Sequence, residues 1–233
     1  MLPRTRLLVG LSLLMALLIV ASCGKPGVRG DVVEPAASPT VTGPPVDPQE
    51  EIAKAHEAIA ADSLDAEAWF RLGVAWQDAR AADPQVAPDS ALVVFEQLLA
   101  RWPDHVKGLV HYGLALEEVR RFDDAARQYK RAAELDPKDP RPLVNLGNLY
   151  YFQEKKTFDA KTAIMEALKL DPNNPEAHFT LGVLFADANM FHEAGVEWNR
   201  VLDVAPGTPA AQLAAENLEK IGPLLEAQHP AGE

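Results

Sequence analysis

Four prolines, Pro103, Pro137, Pro172 and Pro206, stand 34, 35 and 34 residues apart, and each closes a window with the same internal markers. A glycine recurs as Gly73, Gly113, Gly147 and Gly182, and an alanine as Ala91, Ala125, Ala160 and Ala194. In the window from Val106 to Asp139, Leu109, Tyr112, Gly113 and Leu116 have the i, i+3, i+4, i+7 spacing of one helix face. Ala125, Tyr129 and Ala132 form a second face after a break at Arg121 to Asp124. Each window therefore writes two short amphipathic helices in hairpin, and helices this short are marginal unless something covers the apolar stripe. The covering partners are the other copies, so the chain must fold as a stack of hairpins.

A glycine inside a helix costs roughly 1 kcal/mol against alanine, so four in one register imply close helix packing. Each closing proline lacks an N–H and ends the second helix. The pairs Asp139-Pro140, Asn174-Pro175 and Thr208-Pro209 then read as an N-cap followed by a proline in the first turn. Trp69, Leu72, Gly73, Trp76, Ala91, Phe95, Leu98 and Pro103 in the first full window resemble the tetratricopeptide repeat. So do His178, Leu181, Gly182, Phe185, Ala194, Trp198, Val201 and Pro206 in the fourth. The resemblance covers the chain from about Gln49 to about Gly222, the solenoid of residues 49–222. It implies an all-α fold, an α-α superhelix of four full helix-turn-helix repeats at about 66–105, 106–139, 140–174 and 175–208. A half repeat over Ile52 to Ala61 is expected to start the stack, opened by Asp47 as cap, Pro48 in the first turn and Glu50 placed for a capping box. A capping helix over 209–222 is expected to end it. Ala210, Leu213, Ala214, Leu218 and Ile221 face inward there, Gly222-Pro223 is the stop, and residues 223–233 form a disordered tail.

The first residues pose a different problem. Arg4 and Arg6 precede an uncharged apolar run, Leu7 to Ala21, of signal-peptide length and shorter than the roughly 20 residues of a membrane-spanning helix. Val20-Ala21-Ser22-Cys23 resembles the lipobox of bacterial lipoproteins. That resemblance implies a signal peptide over residues 1–22 and fatty acylation of Cys23. Cys23 is the only cysteine, so no intrachain disulfide can form. Residues 23–48, rich in Pro and Gly, read as an extended tether. The expected location is the bacterial envelope, with the chain lipid-anchored to a membrane and facing the periplasm or the cell exterior.

Within Ala79 to Ser90 the first full repeat carries six more residues than the second, and the third carries one extra before Ala160. Surface loops accept such length cheaply. Removal of the signal leaves 20 basic and 34 acidic side chains, a formal charge of −14 that opposes nucleic acid and anionic lipid as partners. The six histidines are scattered without metal-ligand spacing, and the acid pairs Glu117-Glu118 and Asp123-Asp124 diverge on their helices. No catalytic motif is present, so no enzyme activity, cofactor, metal or small-molecule substrate is expected.

Function then falls to the surface left after packing. The family binds partner proteins or peptides on the inner face of the first helices, which implies a peptide-binding groove here. Its candidate lining is Phe70 and Val74, Val110 and Leu114, Val144 and Asn148, Tyr151 and Phe152, and Phe179 and Val183. Such an apolar floor suits a segment that presents hydrophobic side chains, although the same residues would serve equally to pack one helix on the next. Some members clamp a terminal carboxylate, but the lysine of that clamp is missing from every repeat. The expected function is a membrane-tethered interaction scaffold or adaptor. The alternative is an assembly factor resembling the pilotin lipoproteins of outer-membrane secretins.

Overall fold

The computed structural model describes residues 47–87, 89–153 and 155–228. The expected signal peptide, Cys23, the tether up to residue 46 and residues 229–233 of the tail lie outside the described residues. Among the described residues the chain is helical, with no strand. The helices are α1 (Pro48–Ala61), α2 (Ala66–Ala82), α3 (Asp89–Arg101), α4 (Val106–Glu118), α5 (Phe122–Leu135) and α6 (Arg141–Asn148). A π-helical turn (Leu149–Gln153) continues α6, and α7 (Thr157–Leu170), α8 (Pro175–Asp187), α9 (Phe191–Val204) and α10 (Pro209–Gln228) follow. Each helix packs on its chain neighbours, while α2 also meets α4 and α6 also meets α8. These first helices of the hairpins form an inner row.

The recurring glycines explain how the hairpins close. A β-carbon built on Gly73 would lie 2.4 Å from the Phe95 ring, on Gly113 2.4 Å from Tyr129, on Gly147 2.6 Å from Ile164, and on Gly182 2.5 Å from Trp198. In every repeat one large side chain of the second helix therefore lies flat on the backbone of the first. Phe95, Tyr129, Ile164 and Trp198 are fully buried as a result, the first two in one core cluster and the last two in another.

Several helix starts use side chains in the first turn. Asp47 accepts from the Gln49 N–H at 3.0 Å, Asp65 from Glu67 and Ala68, Asn174 from Ala177 at 2.9 Å, and Thr208 from Ala211 at 3.3 Å. Glu50 does not complete a capping box; its carboxylate turns outward to Lys54 at 2.8 Å. At the third repeat Pro140 is the N-cap, and Asp139 stands one residue earlier, where it grips the Arg141 guanidinium and backbone N–H.

The insertion in the first repeat lengthens α2 to Ala82 and then folds back on itself. Arg80 donates to the carbonyls of Pro84 and Val86, and Val86 packs on the N-terminal cluster. The extra residue of the third repeat is not looped out; it is wound into the π turn, where the Lys156 N–H reaches the Tyr150 carbonyl at 2.8 Å. The expected stop at Gly222-Pro223 is corrected: α10 runs through Pro223 to Gln228. Proline removes one backbone hydrogen bond, and Leu225, half-buried on the last cluster, offsets that loss by burial.

Candidate functional site: the inner row of helices

The ten candidate groove residues fall into two sets. Phe70 and Val74 on α2, Leu114 on α4, Asn148 at the end of α6 and Phe152 in the π turn keep part of their surface open. Val110, Val144 and Tyr151 are buried, Tyr151 at 7% exposure, and Phe179 and Val183 are sealed at 1% each. In the fourth repeat these side chains join one cluster with residues of α6, the π turn, α7, α9 and α10, so α8 is buried almost all round. The open apolar strip therefore runs over the first three repeats and ends at α8.

Phe70 anchors the strip. Its ring lies 5.5 Å from that of His105 and 5.1 Å, edge-on, from that of His111, with the Lys107 ammonium 5.9 Å away. His105 Nδ1 accepts the Gly108 N–H and caps α4, which requires that nitrogen to be unprotonated. Burial holds His105 below its ordinary pKa, and burial, with lesser help from Arg141 and Lys107, pulls His111 down to about 4. Both imidazoles flanking Phe70 are neutral at pH 7.

Polar bonds stitch the inner helices together, and sequence reasoning missed them. The Gln77 amide donates to the His111 carbonyl at 3.2 Å and faces His111 Nδ1 at 2.8 Å. Thr180 donates to the Asn148 side-chain oxygen at 2.6 Å, and the Tyr151 hydroxyl donates to Asp187. The partners stand 34, 32 and 36 positions apart, about one repeat each. Hydrogen-bonding residues one period apart on adjacent first helices were the signal available in the sequence. Tyr151 is thereby assigned to the seam between repeats, and Phe152 stacks edge-on against it at 4.8 Å.

Two titratable contacts lie beneath this surface. The buried Tyr129 hydroxyl donates to Glu117 at 2.6 Å, and burial pushes the Glu117 carboxyl up to about 7, only partly opposed by that bond. His178 places Nδ1 2.6 Å from Glu197 and Nε2 2.9 Å from the Pro172 carbonyl. Burial works against its protonated form, but the two acceptors outweigh burial and raise its pKa. Among the described residues no group of His, Cys, Asp or Glu could hold a metal ion, and no helix is long and apolar enough to cross a membrane.

Residues 121–153 match a TPR repeat model, and residues 144–212 match a tetratricopeptide repeat model. Among curated proteins the chain is 30% identical over 123 residues to the cytochrome c-type biogenesis protein CycH of Pseudomonas aeruginosa, covering 52% of this chain and 30% of that one. It is 33% identical over 84 residues to the human protein O-mannosyl-transferase TMTC3, covering 36% of this chain and 9% of that one. With the CycH of Bradyrhizobium diazoefficiens it shares 27% over 137 residues, 58% of this chain and 37% of the relative. The chain thus spans well under half the length of these relatives. Among solved structures, TTC0263, a thermophilic TPR protein of Thermus thermophilus, superposes with a TM-score of 0.60 at 20% identity, covering 72% of this chain and 89% of that one. MamA from Desulfovibrio magneticus RS-1 gives a TM-score of 0.56 at 21% identity, covering 70% and 88%. At these identities the structures speak to the fold alone, and they agree with the series of helical hairpins. The chain carries tetratricopeptide repeats, matched over residues 121–212, and folds as a tetratricopeptide-repeat solenoid.

Proposed function

We propose that this protein is a non-enzymatic adaptor, lipid-anchored through Cys23 in a bacterial envelope, that holds a partner protein's segment on the inner row of helices. The observation that carries the reading is the strip of Phe70, Val74, Leu114 and Phe152, apolar side chains that stay partly open on the inner row of helices. Tetratricopeptide arrays are interaction scaffolds, and apolar surface left exposed on a folded protein usually marks a partner site. Asn148, with its amide oxygen already taken by Thr180, frames the strip and adds little as an acceptor. Two of the curated relatives are named as cytochrome c-type biogenesis proteins, which supports an adaptor in an assembly process. Assembly of a secretin, as for pilotins, is the narrower version of the same reading.

The test is site-specific photo-crosslinking in the native envelope from positions 70 and 114, with position 93 on α3 as control, since Val93 is 46% exposed away from the strip. One partner is expected to crosslink from the two inner positions and not from the control. Equal crosslinking from all three, or from position 93 alone, would overturn the assignment.

A further inference from the structure

Phe158 is the most exposed large apolar side chain among the described residues, at 82%. In the second and fourth repeats the residue three before the marker alanine is aromatic, Phe122 and Phe191, and each packs half-buried against a core cluster. In the third repeat Thr157 holds that place and the aromatic stands one residue later, which turns it outward on α7. Thr162 and Met165 follow Phe158 at i+4 and i+7, so an exposed ridge continues along the helix, with Met165 47% exposed.

Lysines stand on the aromatic rings of the same repeat and its neighbours. The Lys155 ammonium lies 5.6 Å from the Tyr151 ring, Lys156 and Lys130 lie 5.4 and 5.7 Å from the Tyr150 ring, and Lys161 lies 4.9 Å from the Phe185 ring. All four lysines are exposed. Residues 120–169 hold eleven Lys and Arg against eight Asp and Glu. Residues 47–119 hold five against fourteen, and residues 170–228 two against nine. A chain acidic on both sides thus has one basic stretch, and the most exposed aromatic stands in it.

We propose that this edge of the third repeat, Phe158 and Met165 among Lys130, Lys155, Lys156 and Lys161, docks an acidic segment of a protein partner that sets a large apolar side chain against Phe158. Charge complementarity selects the occupant. An anionic bilayer would be broad enough to meet the acidic flanks, whereas a narrow segment meets the basic stretch alone, because charges beyond a Debye length are screened. Lysine stems already resting on rings have less side-chain freedom to lose on binding. The surface lies on α7, the turn before it and Lys130 of α5, so it stands apart from Phe70, Val74 and Leu114 on α2 and α4 and adjoins the strip only at Phe152 of the π turn.

The full-length protein, purified in detergent and immobilised, is panned against a phage-displayed random peptide library. Enriched peptides are expected to place Asp or Glu around a Phe, Leu or Trp. Combining Lys155→Glu with Phe158→Ser should weaken them by about tenfold or more, and added salt should weaken them as well. Leu114→Glu on the inner strip should leave them bound, which separates this docking surface from the inner groove. Both altered side chains of the edge variant face solvent, and an unchanged circular dichroism spectrum shows that it folds. Enriched peptides without acidic excess, or peptides lost on Leu114→Glu and kept by the edge variant, would overturn the proposal. So would Phe158-dependent binding to phosphatidylglycerol vesicles or Phe158-dependent self-association, which would reassign the edge to a membrane or to a second copy.

Discussion

Replacing Glu117 with glutamine isolates the most perturbed carboxyl beneath the inner row. Glu117 accepts the Tyr129 hydroxyl at 2.6 Å, and burial moves its pKa from 4.5 to about 7. Between those two values the folded chain keeps a proton that the unfolded chain has released. Stability from this group is therefore fully present below pH 4.5 and is lost as the pH rises through about 7. At about 1.4 kcal/mol per pH unit the whole window is worth at most about 3 kcal/mol. Glutamine keeps the shape and can still receive the Tyr129 hydroxyl, but it does not titrate. Urea unfolding followed by circular dichroism should give similar stabilities for the two proteins at pH 4.5. At pH 8 Glu117→Gln should be the more stable by up to about 3 kcal/mol. His178 has the same sign, since its raised pKa gives stability present below 6.5 and lost as the pH rises through its folded value, but both proteins carry it and the difference cancels it. The depressed carboxyls of Asp124 and Asp139 act below 3.8, outside the window. Parallel stability curves from pH 4.5 to 8 would refute the reasoning and return the Glu117 carboxyl to water.

Gly147→Leu should lower the melting temperature sharply, because even a β-carbon there meets Ile164 at 2.6 Å and overpacking costs roughly 1 to 3 kcal/mol or more. An unchanged melting temperature would contradict the packing register. Phe179→Ala, at a side chain 1% exposed, should destabilise by about 3 to 5 kcal/mol in urea unfolding. A small change would reopen the fourth repeat as groove. Cys23→Ser should release the protein from the membrane fraction or leave a longer precursor, and fatty-acid label incorporated equally into both proteins would exclude acylation at this residue.

The repeat register was legible because its cause is local and recurrent: a glycine can be spaced so regularly only where something presses on the backbone, and the Phe95, Tyr129, Ile164 and Trp198 side chains do press there. The caps at Asn174 and Thr208 were legible for the same reason, since a cap is built from residues three apart. Gly222-Pro223 misled because the stop depends on what lies beyond it, and Leu225 finds a surface on the last cluster that helix-ending signals do not report. The inner strip was half legible. Spacing put Phe70 and Phe179 on equivalent faces, but only the tertiary packing around each separates a residue a partner can touch from one it cannot. The raised pKa values of Glu117 and His178 had no sequence signal, because each arises from burial set against partners 12 and 19 residues away.

The π turn after α6 acts as a frame correction. One added residue in a regular α-helix rotates everything downstream by about 100°, which would carry Ile164 and Ala167 off the core and turn the charged side of α7 inward. Because Leu149–Gln153 takes up the extra residue within one wide turn, Ile164 still meets Gly147 and the fourth repeat keeps its phase. At this one place the stack accommodates an added residue without unwinding. Deleting one residue from this turn should therefore restore an ordinary α-helix and leave every later contact in place, whereas the same deletion within α4 has no slack to draw on.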